Sequence, residues 1–264
     1  MNNCNQFTNK TAWIVGADTV VGEAVARRFY QEGASLLLSG VENPPEGVAA
    51  SESQTVICCS SIPLSEEESF YQSDMMEKID ILVTAVRTIE RNTILDCSLE
   101  EFNRVTDENL FSAWCATRAI ARKTGKSGKG IVLYVSSIHG SKPSGSAFSY
   151  SVACGGLNML VKEASQDLGR LNIRVNLLRV GPLKGDEDLF SSEISGIYYE
   201  VEDKIPLHRF CRPEEIASAA VFYCSDESSY CNGSILTIDG GFTGHYLDGN
   251  SEERWDFSFA EGKE

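Results

Sequence analysis

Residues 11–34 read TAWIVGADTVVGEAVARRFYQEGA, and this stretch decides the fold. Its first seven residues are a short apolar run that ends at a glycine-containing turn, which is typical of a buried strand. The segment GEAVARRFYQEGA that follows carries apolar residues at helical spacing and stops near a second glycine. A strand, a tight turn and a helix in this order form the repeating unit of α/β proteins.

The same alternation continues to residue 241. Six further apolar runs are bounded by polar or glycine-containing segments, with helical stretches between most of them. They are SLLLSG (35–40), TVICCS (55–60), IDILVTAV (79–86), GIVLYVSS (130–137), NIRVNLLRVG (172–181) and SILTIDGG (234–241). This pattern predicts a single α/β domain at residues 1–244. We expect a doubly wound parallel sheet with helices on both faces and a ligand site beyond the carboxyl ends of its strands.

After Gly244 the composition changes. Residues 245–264, HYLDGNSEERWDFSFAEGKE, form an acidic and polar tail with interspersed aromatic residues. Trp255, Phe257 and Phe259 alternate like one face of an extended segment, which is compatible with docking on a neighbouring subunit. A disordered acidic tail explains the same pattern, so both interpretations stay open.

The composition excludes several kinds of partner. The 264 residues carry a net charge of −15 and a pI near 4.7, whereas nucleic acids and anionic membranes require clustered Lys and Arg. No apolar run approaches the roughly 18 residues of a membrane span, and the start MNNCNQFTNK lacks the features of a signal peptide, so we expect a cytoplasmic protein. The nine cysteines include no CxxC pair and only three histidines are present, which predicts reduced thiols and no metal site.

The residues also carry a family resemblance. The stretch PLHRFCRPEEIASAAVFYCSDESSYCNGSILTIDGG (206–241), with NLFSAW (109–114), YVSSIHG (134–140) and NIRVN (172–176), resembles the short-chain dehydrogenase/reductase family. The resemblance runs from about Lys10 to Gly244 and implies a Rossmann-like fold. It also implies a nicotinamide cofactor, and a site in which Asn109, Ser137, Tyr150 and a lysine four residues beyond the tyrosine act together.

The positions that would bind the cofactor depart from the family pattern. The family's first turn is similar to TGxxxGxG, and here it reads VGADTVVG, so Gly16 and Gly22 remain while Val20 replaces the middle glycine. A β-branched side chain there occupies space that a pyrophosphate would use. Gly40 lies near the place where NAD-dependent members have an acidic residue for the adenosine ribose. Glu42 replaces that residue only if its loop bends.

Two more departures lie at the ends of the next strands. Cys59 stands where the family has an aspartate that contacts the adenine. Arg87 stands where the family has the glycine of a motif similar to NNAG, and we expect its long side chain to fill or block the cleft. Val180 replaces the proline that precedes Gly181 in the family. Together these changes predict that this chain binds no cofactor.

The catalytic lysine is also replaced. In YSVAC (150–154) Cys154 takes its position, and a thiol lacks the positive charge that lowers the pKa of the tyrosine. A free phenol with a pKa of about 10 is only ~0.1% phenolate at neutral pH. We therefore interpret Asn109, Ser137 and Tyr150 as catalytic remnants that now serve the structure, with the tyrosine hydroxyl in solvent.

Other residues do not replace the lysine. Lys162 lies two turns beyond Cys154, too far along the helix to reach the same place. His139 is expected to be solvated in its loop. Cys154 has no histidine partner in any motif, so we do not expect it to act as a nucleophile.

The association surfaces of the family appear in this sequence. Family members pair through two long helices, which here are residues 98–125 and 150–169. The second contains Ala153, Cys154, Gly155 and Gly156, small residues that would permit close approach of a neighbouring backbone. The resemblance thus predicts a hetero-oligomer, expected to be a heterotetramer, with a homologous active subunit that binds NAD.

The pattern resembles the cofactor-less subunit of heteromeric hydroxyacyl-CoA dehydrogenases, as in anaerobic toluene and benzylsuccinate degradation, a form of aromatic hydrocarbon catabolism. In this interpretation the chain supports its partner by contact and transfers no hydride. Two alternatives stay open. One is an autonomous NAD(P)-dependent oxidoreductase with an atypical site, and the other is a sensor that binds a metabolite in the old cofactor cleft.

Overall fold

The structure, a computed structural model, describes residues 5–124, 128–185 and 201–244. Within these ranges seven strands form one parallel sheet in the order β3-β2-β1-β4-β5-β6-β7. The strands are β1 Thr11–Val15, β2 Ser35–Ser39, β3 Val56–Cys59, β4 Ile81–Thr84, β5 Gly130–Ser137, β6 Ile173–Val180 and β7 Ile235–Ile238. Each apolar run in the sequence supplies one strand, because a sheet covered on both faces buries both sets of its side chains.

Helices cover both faces of this sheet. In the described ranges they are α1 Val20–Gln31, α2 Glu66–Asp74, α3 Leu99–Thr106, α4 Ser112–Thr124, α5 Phe148–Gly169, α6 Val201–Lys204 and α7 Pro213–Cys224, with a π-helical turn at Asp107–Phe111 between α3 and α4. One core layer includes Phe29 of α1 and Ile216 of α7, and the other includes Ala116 of α4 and Leu157 of α5. The predicted doubly wound α/β fold is confirmed.

The order of the strands reverses between β1 and β4. Strand β1 pairs with β2 on one side and with β4 on the other, so that Val15 lies in register with both Ser39 and Thr84. At such a reversal the chain leaves neighbouring strands toward opposite faces of the sheet, and a crevice opens at their carboxyl ends. The turns that follow Val15 and Thr84 therefore line the predicted cleft.

The helices expected to associate with a partner differ in detail from the prediction. The first is divided by the π-helical turn, and the second begins earlier, at Phe148. Ala153 and Cys154 are 0% and 1% exposed, so they face the interior of the subunit. Gly156 packs against Leu110 of the same chain, where an added Cβ would lie 2.5 Å from Leu110 Cδ2. The prediction that Ala153 and Cys154 admit a neighbouring backbone is wrong, because both are buried in the subunit. For Gly155 and Gly156, which are partly exposed, it stays a prediction.

The acidic tail at residues 245–264, including Trp255, Phe257 and Phe259, lies outside the described residues. Among the helices that the structure does describe, none is both long and apolar enough to cross a membrane. The same ranges contain no group of three His, Cys, Asp or Glu side chains placed to hold a metal ion.

Candidate functional site

The turn after β1 depends on two glycines for its own packing. Gly16 has a φ of +85°, and a Cβ there would lie 2.6 Å from the backbone nitrogen of Val86. A Cβ on Gly22 would lie 2.0 Å from the carbonyl oxygen of Gly16. Both positions therefore require glycine whether or not a cofactor binds.

Thr19 fixes this turn at the amino terminus of α1. Its hydroxyl accepts a hydrogen bond from the Gly22 amide at 3.0 Å and lies 2.9 Å from the Gly16 carbonyl oxygen and 3.0 Å from that of Ala85. One amide that a helix amino terminus offers to a phosphate is thereby occupied. Val20 is the first residue of the helix and is 43% exposed, so its branched side chain projects from the face that a pyrophosphate would approach.

The adenosine end of the cleft is lined by carboxylates. Gly40 has a φ of +100°, and a Cβ there would lie 2.7 Å from Asp18 Oδ1. Asp18, Glu108 and Arg87 all line the same cavity of about 270 Å³. Glu42, the possible replacement for a ribose-binding acid, is exposed in the loop after β2. Glu108 forms an ion pair with Arg104 at 4.0 Å, which leaves Asp18 as the carboxylate that faces the end of β2.

Cys59 ends β3 and contributes structure to this end of the cleft. Its carbonyl oxygen accepts hydrogen bonds from the amides of Gly40 and Val41 at 2.8 and 3.0 Å. Its Sγ lies 3.3 Å from Met75 Sδ. Burial raises the pKa of the Cys59 thiol, so it stays protonated and offers no acceptor equivalent to an aspartate.

Arg87 reaches from the end of β4 to Tyr150. The tyrosine is 2% exposed, and Arg87 and Cys154 are the side chains close enough to influence its pKa. Burial raises the pKa of Tyr150 strongly, the negative charge that Cys154 carries once ionised adds to the rise, and Arg87 only partly opposes it. The prediction that the tyrosine hydroxyl is solvated is therefore wrong: the side chain is enclosed within its own subunit.

Cys154 lies at the centre of this enclosure. Burial raises the pKa of its thiol, and polar contacts with Ser136 and Tyr150 together with the charge of Arg87 oppose the rise. The neutral thiol supplies no positive charge to the tyrosine, whereas Lys162 is exposed further along α5. The one cation close to the phenol therefore comes from β4 rather than from α5, as far as the described residues extend.

His139 and Ser137 form a second part of the cluster. The His139 ring packs edge-on against Tyr150 with centroids 6.1 Å apart, and its amide donates to Ser137 Oγ at 3.3 Å. Burial lowers the pKa of His139, and the charge of Arg87 lowers it further. The expectation of a solvated histidine is wrong, because the loop after β5 folds onto α5. The ring is neutral at physiological pH, and Ser137 holds the backbone of the loop.

The Asn109 side chain forms hydrogen bonds that hold its helix against the segment after β4. It lies in the π-helical turn, where its Nδ2 donates to the carbonyl oxygens of Val105 at 2.8 Å and Thr88 at 2.9 Å. Its Oδ1 accepts from the Thr88 amide at 3.1 Å. These three bonds attach the helix to the segment after β4 and leave one acceptor lone pair of the side chain for any other role.

Three residues of the cleft were not identified from the sequence. Thr19 has a recognisable signal, since a threonine just before an apolar helical pattern is a typical amino-terminal cap. Asp18 and Glu108 have none, because they reach the cleft from segments that are distant in sequence. Both add negative charge at a place where the family binds a nucleotide.

The cofactor that the family uses does not fit these residues. Val20 stands on the pyrophosphate face of α1, Asp18 lies against Gly40, and Arg87 occupies the approach to Tyr150. Each feature obstructs a different part of a dinucleotide: the pyrophosphate, the adenosine ribose and the nicotinamide end.

The sheet order, the glycine turn and the Ser137 and Tyr150 pair at the carboxyl edge define the scaffold of a Rossmann-like oxidoreductase. A family model described as "Enoyl-(Acyl carrier protein) reductase" matches residues 16–243. The chain belongs to the short-chain dehydrogenase/reductase family, as the sequence predicted.

Curated relatives and solved structures agree with this assignment. The chain is 30% identical over 245 residues to a 3-oxoacyl-(acyl-carrier-protein) reductase of Chlamydia trachomatis, covering 89% of this chain and 98% of the relative. It is also 30% identical over 248 residues to the 7alpha-hydroxysteroid dehydrogenase of Escherichia coli K12, covering 89% and 95%. An Agrobacterium tumefaciens structure with bound NADP has a TM-score of 0.79 at 24% identity, covering 93% of this chain and 100% of that one. The aldohexose dehydrogenase of Thermoplasma acidophilum has a TM-score of 0.80 at 23% identity, covering 92% and 98%.

Proposed function

We propose that this chain is a non-catalytic supporting subunit of an NAD-dependent short-chain alcohol dehydrogenase complex. It associates with an active homologous subunit, which binds the NAD, and the two kinds of subunit together form a heterotetramer. The observation that carries this proposal is the enclosure of Tyr150, which is 2% exposed and lies near Arg87 and Cys154. The proposed substrate class of the complex, a 3-hydroxyacyl-CoA of aromatic hydrocarbon catabolism, rests on the resemblance alone.

The enclosure opposes proton transfer in two ways. A catalytic hydroxyl must reach the oxygen of the substrate within hydrogen-bond distance, whereas Tyr150 is 2% exposed and its neighbours belong to the same chain. Its pKa is also raised by burial, so the phenolate needed to accept a proton from an alcohol is strongly disfavoured. The burial of the Tyr150 side chain and its raised pKa thus both favour a structural role for this tyrosine.

A large apolar surface beside this closed site supports a role in association. Between α4 and α5 lies a groove of about 500 Å³, whose lining includes Leu110, Phe111, Trp114 and Met159. Phe111 is 39% and Met159 is 56% exposed, so the groove places neighbouring large apolar side chains in contact with water. Burial of this groove by a homologous subunit would remove these side chains from solvent.

Calorimetric titration of the full chain with NAD(H) and NADP(H) tests the loss of cofactor binding. We expect no saturable heat up to about 1 mM nucleotide, a Kd range in which weak sites still register. A competent family member titrated in parallel serves as the control. Binding with a micromolar Kd by this chain would refute the proposal.

Association is tested separately by native mass spectrometry of the chain purified from its source. The expected species contains this chain together with a homologue that has the complete glycine turn and the catalytic lysine. Isolation of the chain only with copies of itself, with full oxidoreductase turnover, would refute the supporting role.

One observation favours a second candidate, an autonomous oxidoreductase with an atypical site. Arg87 places a guanidinium beside Tyr150, which is the kind of charge that the missing lysine supplies elsewhere in the family. In that case Arg87→Gln abolishes a measurable turnover of the isolated chain. Under the supporting-subunit proposal there is no turnover to abolish, so the two candidates give opposite results in one assay.

A further inference from the structure

A second large cavity lies at the opposite edge of the sheet from the cofactor cleft. It has a volume of about 600 Å³ and is bordered by the amino-terminal ends of β4, β5 and β6. Its walls also include the segment before β1 and the segment after α7. This volume is within the usual range of small-molecule sites, and the place is unrelated to the carboxyl edge that the family uses.

The cavity has an apolar wall. Phe7, Ile81 and Ile173 border it and are each 1% exposed or less, so they are fixed in the core. Tyr230, also part of the lining, is fully exposed. The three core side chains form a rigid backing, and the accessible Tyr230 ring is the surface on which the apolar body of a ligand would lie.

The cavity also has a lysine that is only loosely paired. Lys10 Nζ lies 3.8 Å from Asp80 Oδ1, and its side chain is 45% exposed. The same carboxylate already has closer partners, with Lys78 Nζ at 2.5 Å and the Thr11 amide at 3.0 Å. The Lys10 ammonium therefore keeps donors for another anion at little cost to Asp80.

Arg174 adds a half-buried guanidinium on the same wall. Its bonds go to the carbonyl oxygens of Cys231 at 3.2 Å and of Tyr223 and Ser225 at 3.0 Å. None of these partners is charged, and within the described residues no carboxylate forms an ion pair with Arg174. Asp226, which also lines the cavity, offsets part of its charge from a distance. A partly desolvated cation without a close counter-ion favours an anion nearby.

Lys129, immediately before β5, is the third cation of the cavity. It lines the cavity and has no ion pair with any carboxylate that the structure describes. The cavity thus combines three cations with two carboxylates, Asp80 and Asp226, the first of which is already held by Lys78. This local excess of positive charge stands out in a chain whose net charge is −15.

We propose that the cavity at the amino edge of the sheet binds a small organic oxyanion, a carboxylate or phosphate carried on an apolar body. Lys10 and Lys129 contact the oxyanion, Arg174 supplies background charge, and the exposed ring of Tyr230 contacts the apolar body. The inference does not depend on the proposed function, because none of these residues belongs to the cofactor cleft.

Titration of the full chain with phenyl phosphate, benzoate, inorganic phosphate and neutral benzyl alcohol tests this site. We expect saturable calorimetric binding of phenyl phosphate or benzoate, with benzyl alcohol at least about tenfold weaker, since a charge-assisted hydrogen bond is worth about that factor or more. The double variant Lys10→Gln/Lys129→Gln should weaken the anion by about tenfold or more. A matched variant, Lys142→Gln/Lys162→Gln, removes two exposed lysines far from the cavity and should leave the affinity unchanged.

Three results would overturn the inference. They are absence of saturable anion binding up to about 10 mM, equal losses in the two double variants, and inorganic phosphate binding as tightly as phenyl phosphate. Equal affinity for inorganic phosphate and phenyl phosphate would show that the apolar part of the ligand contributes nothing to binding. If the double variant does not fold, Lys129→Gln alone applies the same criterion, because Lys129 has no structural partner among the described residues.

Discussion

The substitution Cys154→Lys restores the residue that active family members have, and we predict that here it destabilises the protein without activating it. Cys154 is 1% exposed and lies within the electrostatic reach of Arg87. A lysine at this position brings a second positive charge into a pocket that already holds a guanidinium. In active relatives glycine stands in the place of Arg87, so the same lysine meets no such charge.

The magnitude follows from Coulomb's law. Two unit charges about 5 Å apart, at an effective dielectric constant of about 20, repel by about 3 kcal/mol. Withdrawal of the lysine from water adds to this cost unless its pKa falls and it becomes neutral. We therefore expect the free energy of unfolding to drop by about 3 kcal/mol, a large fraction of the stability of a typical domain.

A double-mutant cycle in urea isolates the charge effect. Arg87→Gln combined with Cys154→Lys should recover most of the loss, giving a coupling energy of about 2–3 kcal/mol between the two positions. Cys154→Met is the matched control, because it adds comparable bulk without charge and should show almost no coupling to Arg87→Gln.

Two results would refute this reasoning. The first is a Cys154→Lys variant as stable as the parent chain, or one whose loss is simply additive with Arg87→Gln. The second is recovery of hydride transfer by Cys154→Lys alone, which would show that Val20, Gly40 and Arg87 do not prevent cofactor binding.

Three further predictions concern the cleft and the surface. Tyr150→Phe should lower the free energy of unfolding by about 1–2 kcal/mol through the loss of its enclosed hydroxyl, yet leave turnover of the complex unchanged, as urea denaturation and a steady-state assay would show. Thr19→Val should cost about 1–2 kcal/mol and Thr19→Ser much less, because only the hydroxyl caps α1; equal losses in the two variants would contradict this. Hydrogen bonding from Arg209 lowers the pKa of Glu215 from 4.5 to about 2. A carboxylate whose pKa is lowered by folding stabilises the protein above its unfolded pKa, and this stabilisation is lost on acidification. The free energy of unfolding of the parent chain should therefore exceed that of Glu215→Gln by an amount that shrinks between pH 4.5 and about 2. This advantage is small because the pair is exposed, and a difference that stays constant with pH would exclude it.

The strands were predictable because each one is a run of consecutive apolar residues. Trp13, Leu37 and Leu82 are fully buried in adjacent strands, and a sheet covered on both faces tolerates few polar residues in such runs. The break between α3 and α4 was not predictable, since DENLF contains no residue that ends a helix. It depends on Asn109 bonding to Thr88, a contact that exists only after the sheet has formed.

The composition of the site was predictable, but its arrangement was not. The replacement of a lysine by Cys154 is visible in the sequence, whereas the destination of the Arg87 side chain depends on which neighbours satisfy its charge. The sequence suggests an obstruction of the cleft, and in the structure Arg87 lies near enough to Tyr150 to lower the pKa of the tyrosine in part. The contact of His139 with Tyr150 was not predictable for a similar reason. Whether a loop residue is exposed depends on the element onto which the loop folds.

The π-helical turn at Asp107–Phe111 sets the rotational phase of the whole of α4. Such a turn contains one residue more than an α-helical turn, and each residue advances a helix by about 100°. With that residue deleted, Trp114 would rotate away from the groove beside α5, and Arg118 would rotate away from Glu66, with which it forms an ion pair. The length of this single turn, rather than the composition of α4, therefore decides which side chains of α4 line the groove beside α5.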